Sequence, residues 1–231
     1  MQLAGLLARD GLDPDVRILI GTAVSTWHAD WPNVTAWVEF ARQLGTQLGT
    51  QLGTQLGTQR GTQRGTQRGC QREDLEETLL QCVLFCGFPR VITAFEHFCK
   101  AWPTKHAPSG GSLPAAERGP AGDELFRSIY GKNDAAVRSM LRGYHEELHD
   151  FVLEAAYGRI LTRPQLSAKN RELIAVAVLA AQGQERQYAG HARGAKHLGA
   201  SAEELREALV TTFGIDAAGT ADVEFWTSLA R

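Results

Sequence analysis

The sequence predicts an all-α protein made of two similar helical units in tandem. No segment shows the sustained alternation of apolar and polar residues that marks a half-buried strand. Several segments instead begin at a capping residue and continue with apolar residues at helical spacing. In addition, residues 12–45 align without gaps on residues 166–199. Together these observations predict a duplicated helical unit.

The internal repeat keeps a constant offset. Residues 12–45 and 166–199 differ by 154 in numbering throughout and are identical at nine of 34 positions. After a low-complexity tract the alignment resumes at an offset of 130, pairing residues 69–79 with residues 199–209. The two offsets differ by 24 residues, which is six copies of a tetrapeptide. We therefore interpret the first copy as the second with a repeat expansion between two helices.

Domain boundaries follow from the repeat and from composition. Residues 1–102 are interpreted as a degenerate first unit and residues 123–231 as the second, with a pseudo-twofold relation between them. The Pro- and Gly-rich segment 103–122 is interpreted as a linker. Residues 46–69 consist of LGTQ and RGTQ repeats. Because each glycine costs about 1 kcal/mol in a helix, this tract is predicted to be a flexible solvated loop.

Capping residues predict where the helices begin and end. Asp13 opens a helix in the first copy, and Ser167 is the matching cap in the second. The stretch RELIAVAVLAAQ is apolar on all sides after its first turn, which predicts a core helix that ends before Gly183. The stretch QERQYAGHARGAKHL is its return arm and ends at Gly199. Ser201 then begins the next helix with a capping box.

Composition argues against several classes of protein. Hydrophobic content of 43% and charged content of 22% are ordinary for a globular protein. A formal net charge of -2 gives no reason to expect nucleic acid or a membrane as partner. We find no secretion signal in the opening MQLAGLLARDGLD and no apolar run of bilayer-spanning length, so a cytoplasmic protein is expected. Cys82 and Cys86 are expected to be small buried hydrophobes.

One short motif resembles a zinc site. The segment His145-Glu-Glu-Leu-His149 matches H-E-x-x-H, which on a helix places two imidazoles on one face to bind zinc. Two charged residues, Glu147 and Asp150, occupy positions that are usually uncharged in such zinc helices. No G-x-x-H follows to supply a third ligand. We therefore interpret the motif as a polar helix face and expect neither a metal nor another cofactor.

Residues 157–209 resemble the carboxymuconolactone decarboxylase family, which includes alkylhydroperoxidase D. The shared features are an apolar helix opened by Arg-Glu-Leu, a turn, a histidine on the returning helix, and a capped helix that begins with paired acids. Through the internal repeat the resemblance extends to residues 12–45 and 69–95. Family members assemble as trimeric or hexameric rings. The resemblance therefore implies a homo-oligomer, here a trimer of hexamer-like shape.

The peroxidase branch of this family carries C-x-x-C-x-x-x-H, with a glutamate early in the preceding helix. Carried over position by position, the glutamate falls on Glu172 and the histidine on His191. The two cysteine positions fall on Gln184 and Gln187. A glutamine has no thiolate to attack a peroxide and cannot form the resolving disulfide. Thiol peroxidase chemistry at this site is therefore disfavoured.

The decarboxylase branch lacks those cysteines and keeps the histidine. The resemblance implies loss of CO₂ from a small carboxylated lactone or related acid, followed by reprotonation of the dienolate. His191 is then the expected proton donor, and Glu172 orients it or carries the proton. Arg193 is expected to bind a substrate carboxylate. Weaker candidates from the flank of the same unit are Tyr157 for substrate binding, His145 and Arg163.

The first copy cannot run the same acid–base chemistry. At the positions of Glu172, His191 and Arg193 it has Ile18, Trp37 and Glu39. We expect it to pack against the second copy, as neighbouring subunits do in single-unit family members. Two other functions stay open from the sequence. One is a non-catalytic helical scaffold of the same fold, and the other is a peroxidase-like oxidoreductase that uses Cys82, Cys86 or another thiol.

Overall fold

The computed structural model describes residues 3–55, 69–105 and 111–230, and within these ranges every regular element is a helix. The predicted all-α fold is therefore confirmed. Helix α7 continues directly into a wider π-helix, Val152–Leu161. The α-helices are α1 Leu3–Leu7, α2 Pro14–Trp27, α3 Trp31–Gln55, α4 Arg72–Ala101, α5 Ala115–Tyr130, α6 Asp134–Tyr144, α7 Glu146–Phe151, α8 Ala168–Ala181, α9 Glu185–His197, α10 Ala202–Phe213 and α11 Ala221–Leu229.

Helices α2 and α8 pack against each other at the centre of the molecule. Asp13 caps α2 by accepting a hydrogen bond from the backbone N–H of Asp15, and Ser167 caps α8 by accepting one from Asn170. Residues 171–180 of α8 are all buried, as the apolar circumference of this helix predicts. Helices α3 and α4 cover α2, while α9 and α10 cover α8. The core therefore continues from one half into the other.

The helix boundaries of the two halves follow the offsets found in the sequence. Helices α2 and α8 both have 14 residues and begin 154 residues apart. Helices α3 and α9 also begin 154 residues apart, and α4 and α10 begin 130 apart. The turn between the hairpin helices has a positive φ at the same place in each half, at Ala29 and at Gly183. The tandem duplication stays a prediction, and these coincidences support it.

Helix α3 differs from the sequence-based expectation. It continues to Gln55 and so includes the first ten residues of the predicted loop 46–69. A helix that has already nucleated adds one hydrogen bond for each further residue, so a glycine in every fourth place weakens it without ending it. Residues 56–68 of the predicted loop lie outside the described residues.

The predicted linker 103–122 is also shorter than expected, because α5 begins at Ala115. Helix α5 makes a long-range backbone contact that local composition does not reveal. A Cβ atom on Gly122 would lie 2.8 Å from the backbone nitrogen of Gly158 in the π-helix. Only glycine lets α5 and the π-helix approach this closely. The two form one packed pair that precedes the core hairpin of the second half.

A buried ion cluster joins α4 to the segment that enters α8. The carboxylate of Glu77 accepts hydrogen bonds from Nε and Nη2 of Arg163 at 2.8 and 2.5 Å, and from Nη2 of Arg171 at 2.9 Å. Arg171 also donates to the carbonyl of Arg163 at 3.0 Å and to the side chain of Gln81 at 3.3 Å. All three charged side chains are at least nine-tenths buried. Arg163, which was a weak candidate for the site, is thus a structural residue.

A second cluster repeats this arrangement with the halves exchanged. Glu207 of α10 accepts hydrogen bonds from Arg9 and from Arg17, in each case at 2.8 Å to one carboxylate oxygen. Arg17 also donates to the carbonyl of Arg9 at 3.2 Å and to the hydroxyl of Thr211 at 3.0 Å. Each member lies 154 or 130 residues from its counterpart in the first cluster. The two halves are therefore connected by reciprocal ion pairs.

Helix α4 corrects the expectation that no apolar segment is long enough to span a bilayer. Among the described helices it alone is long and apolar enough, by length and composition, to cross a bilayer. It is broken by a non-helical residue at Gly87, two positions before Pro89. Its N-terminal half carries the buried Glu77 cluster and packs on α2. These are features of a core helix, and the cytoplasmic location stays a prediction.

Replacing Glu77 should destabilise the protein strongly. In Glu77→Gln two buried guanidinium groups lose their carboxylate, and breaking a buried pair in this way costs about 3–5 kcal/mol. The free energy of unfolding is measured by urea denaturation. Glu73→Gln is the matched control, because Glu73 lies one turn earlier on the same helix and is exposed. If Glu77→Gln lowered the free energy of unfolding no more than Glu73→Gln does, the structural role of the cluster would be contradicted.

The clusters also predict how stability depends on pH. Burial alone would raise the pKa of Glu77 and of Glu207, but the arginine hydrogen bonds and charges outweigh it and lower both pKa values below 4.5. The stabilisation is therefore complete above about pH 4.5 and is lost as the pH falls through the lowered pKa values. We expect the unfolding free energy of the wild type to fall more steeply below pH 4.5 than that of Glu77→Gln. Parallel pH profiles would show that Glu77 is not paired.

Candidate active site

A pocket of about 930 Å³ lies in the second half of the molecule. Helices α5, α6 and α9 and the π-helix form its walls, and Leu84 and Phe85 of α4 contribute from the first half. The pocket therefore depends on both halves. Its walls include His191, Arg193 and Tyr157, three of the four residues that the sequence places in the site.

The fourth residue, Glu172, lies directly behind His191. Its carboxylate Oε2 is 2.9 Å from Nδ1 of His191, and its side chain is 2% exposed. The hairpin of α8 and α9 brings the two together, because Gly183 turns the chain so that α9 returns along α8. Gly194 allows the close approach, since a Cβ atom there would lie 2.9 Å from Oε2 of Glu172. The hairpin thus presents one histidine whose partner is buried.

The pairing determines the protonation of His191. Because a carboxylate only accepts hydrogen bonds, Nδ1 carries the proton and Nε2 is the nitrogen left for a ligand. Burial alone would lower the pKa of His191, but the charge and the hydrogen bond of Glu172 outweigh it, so the pKa is raised above its ordinary value. The imidazolium form therefore persists to higher pH. In that form Nε2 carries a proton that can be donated.

A pair of tyrosines lies in the same pocket. The hydroxyl of Tyr157 in the π-helix donates to that of Tyr130 at 3.2 Å, and both rings pack on Phe126. Burial raises the pKa of both tyrosines, so both hydroxyls stay protonated. Since Tyr157 donates to Tyr130, the proton of Tyr130 is available to a pocket ligand. Sequence reasoning missed Tyr130, because it follows no motif and precedes the matched unit.

The remaining candidates differ in position. Arg193 is exposed at the pocket wall, and its guanidinium makes no hydrogen bond or ion pair within the described residues. Gln184 and Gln187, at the family's cysteine positions, also line the pocket. His197, which the sequence did not single out, also lines the pocket, and its Nδ1 donates a hydrogen bond to the carbonyl of Ile129 at 3.1 Å.

The H-E-x-x-H histidines do not enter the pocket. His145 is exposed and caps α7 by accepting a hydrogen bond from the backbone N–H of Glu147. His149 is buried, and its Nδ1 lies 2.8 Å from a carboxylate oxygen of Asp150. Across the ranges that the structure describes, no three His, Cys, Asp or Glu side chains are grouped to bind a metal. His145, a weak site candidate in the sequence, therefore lies outside the site.

In the first half, the corresponding place is filled by side chains. Trp37 stands at the position of His191 and is fully buried, and Ile18 stands at the position of Glu172 and is also fully buried. A Cβ atom on Gly21 would lie 2.1 Å from the indole ring, so Trp37 lies directly against the α2 backbone. The indole thus occupies the space where the second half has an imidazole beside a cavity.

Comparison with known proteins finds a likeness in the second half. Residues 146–221 match the model of the carboxymuconolactone decarboxylase family. This part of the chain is similar to that family. A 70-residue stretch is 30% identical to the 4-carboxymuconolactone decarboxylase of Acinetobacter baylyi, covering 30% of this chain and 52% of that protein. The chain therefore spans about half the length of the curated relative it matches.

The family match covers one part of the pocket and leaves another outside. Glu172 and His191 lie within residues 146–221, as do the π-helix and Tyr157. Tyr130 and the whole of α6 precede the matched range. The paired Glu172 and His191 therefore lie in the part of the chain that matches the family, and one wall of the pocket comes from residues before it.

The pairing of Glu172 with His191 can be tested directly. In Glu172→Gln the charge that raises the pKa of His191 is removed, so that pKa should fall. The titration is followed by NMR at the His191 Cε1–H signal. Glu185→Gln on α9, the helix of His191, is the matched control, because Glu185 is exposed and its replacement should leave the pKa of His191 unchanged. An equal effect of both substitutions would show that His191 senses only the overall charge.

Proposed function

We propose that the pocket is the active site of a carboxy-lyase-like enzyme that acts on a small carboxylated lactone or related acid. The observation that carries the proposal is the 2.9 Å contact between His191 and the buried Glu172, beside a cavity of about 930 Å³. The family of residues 146–221 supports the same reaction type. A buried acid–base pair facing a cavity is typical of functional sites.

Different side chains of the pocket can serve the successive steps of this reaction. Arg193 has no partner within the described residues, and its guanidinium suits a substrate carboxylate that is not lost. When the carbon–carbon bond to the other carboxylate breaks, CO₂ leaves and its bonding electrons form an enolate. The available hydroxyl proton of Tyr130 then hydrogen-bonds the developing enolate oxygen. This stabilises the transition state more than the substrate, which is the requirement for catalysis.

Protonation at carbon completes the reaction. His191 in its imidazolium form donates the Nε2 proton to the enolate and becomes neutral, and a proton from solvent restores it. Glu172 keeps Nδ1–H oriented and stabilises the imidazolium, without itself touching the substrate. Glu172 is therefore a positioning residue in this mechanism, and His191 is the catalytic one.

A peroxidase function has less support in the structure. The thiols of Cys82 and Cys86 are hydrogen-bonded to each other, which raises the pKa of Cys82 and lowers that of Cys86. Both are buried, and neither lines the pocket. The pocket positions that hold thiols in the peroxidase branch are Gln184 and Gln187.

A scaffold without catalysis is the other competing function. It gives no reason for a carboxyl group buried against a histidine beside a cavity, since an apolar residue such as Ile18 fills the same place in the first half. Burying a polar group costs free energy that its hydrogen-bond partner only offsets, so a scaffold gains nothing from the pair of Glu172 and His191. The first half is proposed to act as the scaffold of this chain, supplying Leu84 and Phe85 to the pocket.

The predicted homo-oligomer is proposed on similar grounds. Phe88 and Ile92 lie one turn apart on the second part of α4 and are 68% and 58% exposed. Apolar residues so exposed on neighbouring turns are typical of an interface. The trimer of hexamer-like shape stays a prediction from the family resemblance.

Turnover measurements test the proposed reaction. We expect decarboxylation of 4-carboxymuconolactone or a related carboxylated lactone by the wild type, and a loss of about 10²- to 10⁴-fold in kcat for His191→Gln. A peroxide is assayed beside it, and little thiol-dependent turnover is expected. His28→Gln, at an exposed position outside the pocket lining, is the matched control for general damage. Peroxide turnover that depends on Cys86, without lactone turnover, would overturn the proposal.

A further inference from the structure

The size of the pocket exceeds what a one-ring acid requires. Clefts of about 300–1,000 Å³ hold drug-sized ligands, and a cavity of about 930 Å³ lies near the upper end of that range. A small lactone bound at His191 would leave much of this space to water. The extra space is bounded mainly by apolar side chains, which gain nothing from contact with water.

The two kinds of wall come from different helices. Helix α9 supplies the groups that can bind or protonate an acid, among them His191, Arg193 and Gln187. Helix α6 supplies Val137, Met140 and Leu141. These three recur at helical spacing and so form one apolar stripe along α6 that faces the cavity. The pocket therefore has one polar wall and one apolar wall.

The apolar stripe of α6 is only partly covered by protein. None of the 11 residues of α6 is buried, and the three stripe residues keep part of their surface exposed. Val137 and Leu141 pack against the cluster around Phe126, and the guanidinium of Arg186 contacts the sulfur of Met140. Arg138 holds the helix further by pairing with Asp123 and Asp134. The remaining surface of the stripe lines the cavity. The whole of α6 lies before the family match, so this wall is additional to the matched unit.

We infer that the pocket takes an amphipathic organic acid, with its carboxylate at the α9 wall and an extended chain or aryl group against the α6 stripe. The inference rests on the proposed function for the position of the head group, and on α6 for the apolar part. Arg193 provides the charge that a carboxylate needs, and the volume accommodates a substituent well beyond one ring. Val137, Met140 and Leu141 are thereby specificity-determining residues.

Binding of straight-chain carboxylic acids tests this without turnover. Dissociation constants of the full chain are measured by calorimetry for acids of four, eight and twelve carbons, below their micelle concentrations. Each added methylene that reaches the stripe should tighten binding about fourfold. The matching primary alcohols should bind more weakly than the acids. Arg193→Gln should remove that difference while keeping the dependence on chain length.

Two variants on α6 test whether the dependence of affinity on chain length arises at the apolar stripe. Val137→Gln should flatten the dependence on chain length, whereas Ser139→Gln, on the exposed side of the same helix, should keep it. Circular dichroism is used to check that both variants fold, and Leu141→Gln tests a second lining position. Equal affinity for all chain lengths, or a preference for long chains that Val137→Gln leaves unchanged, would overturn the inference.

The binding experiments can succeed or fail independently of the proposed reaction. His191→Gln should lower turnover by about 10²- to 10⁴-fold and leave the preference for long acids intact, because the imidazole belongs to the α9 wall and the chain binds at the α6 stripe. If long acids bind at α6 and no carboxylated acid is turned over, the proposed reaction fails and this inference stands. If a short lactone is turned over and longer acids gain nothing in affinity, the reaction stands and this inference fails.

Discussion

The reciprocal burial of Glu77 and Glu207 is the constraint on which the rest of the molecule depends. Each carboxylate lies in one half and pairs with two arginines of the other. Removing an ion from water costs several kcal/mol, and close, well-oriented partners are needed to offset it. The charges are therefore satisfied only when both halves are docked in one register. Burial of apolar side chains between α2 and α8 stabilises the contact between the two halves. The ion clusters determine the relative position in which the two halves make this contact.

The same constraint orients the candidate site. Arg171 and Glu172 are neighbours on α8, so their side chains leave the helix about 100° apart. Arg171 contacts Glu77 of the first half, and Glu172 contacts His191 of the second. Gln81 holds this turn further by donating to the carbonyl of Arg171 at 2.8 Å. The pairing with Glu77 thus fixes the rotation of α8, and the direction of Glu172 follows from it.

Local signals in the sequence predicted the helix caps, the α8–α9 hairpin and the meeting of Glu172 with His191, because each depends on residues close in the chain. What could not be predicted depends on distant partners. Arg163 resembled a site residue, since Glu77 is 86 positions away and carries no motif. Helix α5 packs closely on the π-helix where Gly122 meets Gly158, while the Pro and Gly composition around it is typical of a linker. Tyr130 enters the pocket only through that packing.

The filled position in the first half explains how one chain can carry an open site. A cavity beside a buried carboxylate lowers stability, because its lining lacks van der Waals partners and the charge is desolvated. Replacing the acid by Ile18 and the imidazole by Trp37 removes both costs in the first half. Since the two halves are locked together by Glu77 and Glu207, the stability of the first half also supports the second. A filled position in the first half and a cavity in the second are therefore compatible within one stable chain.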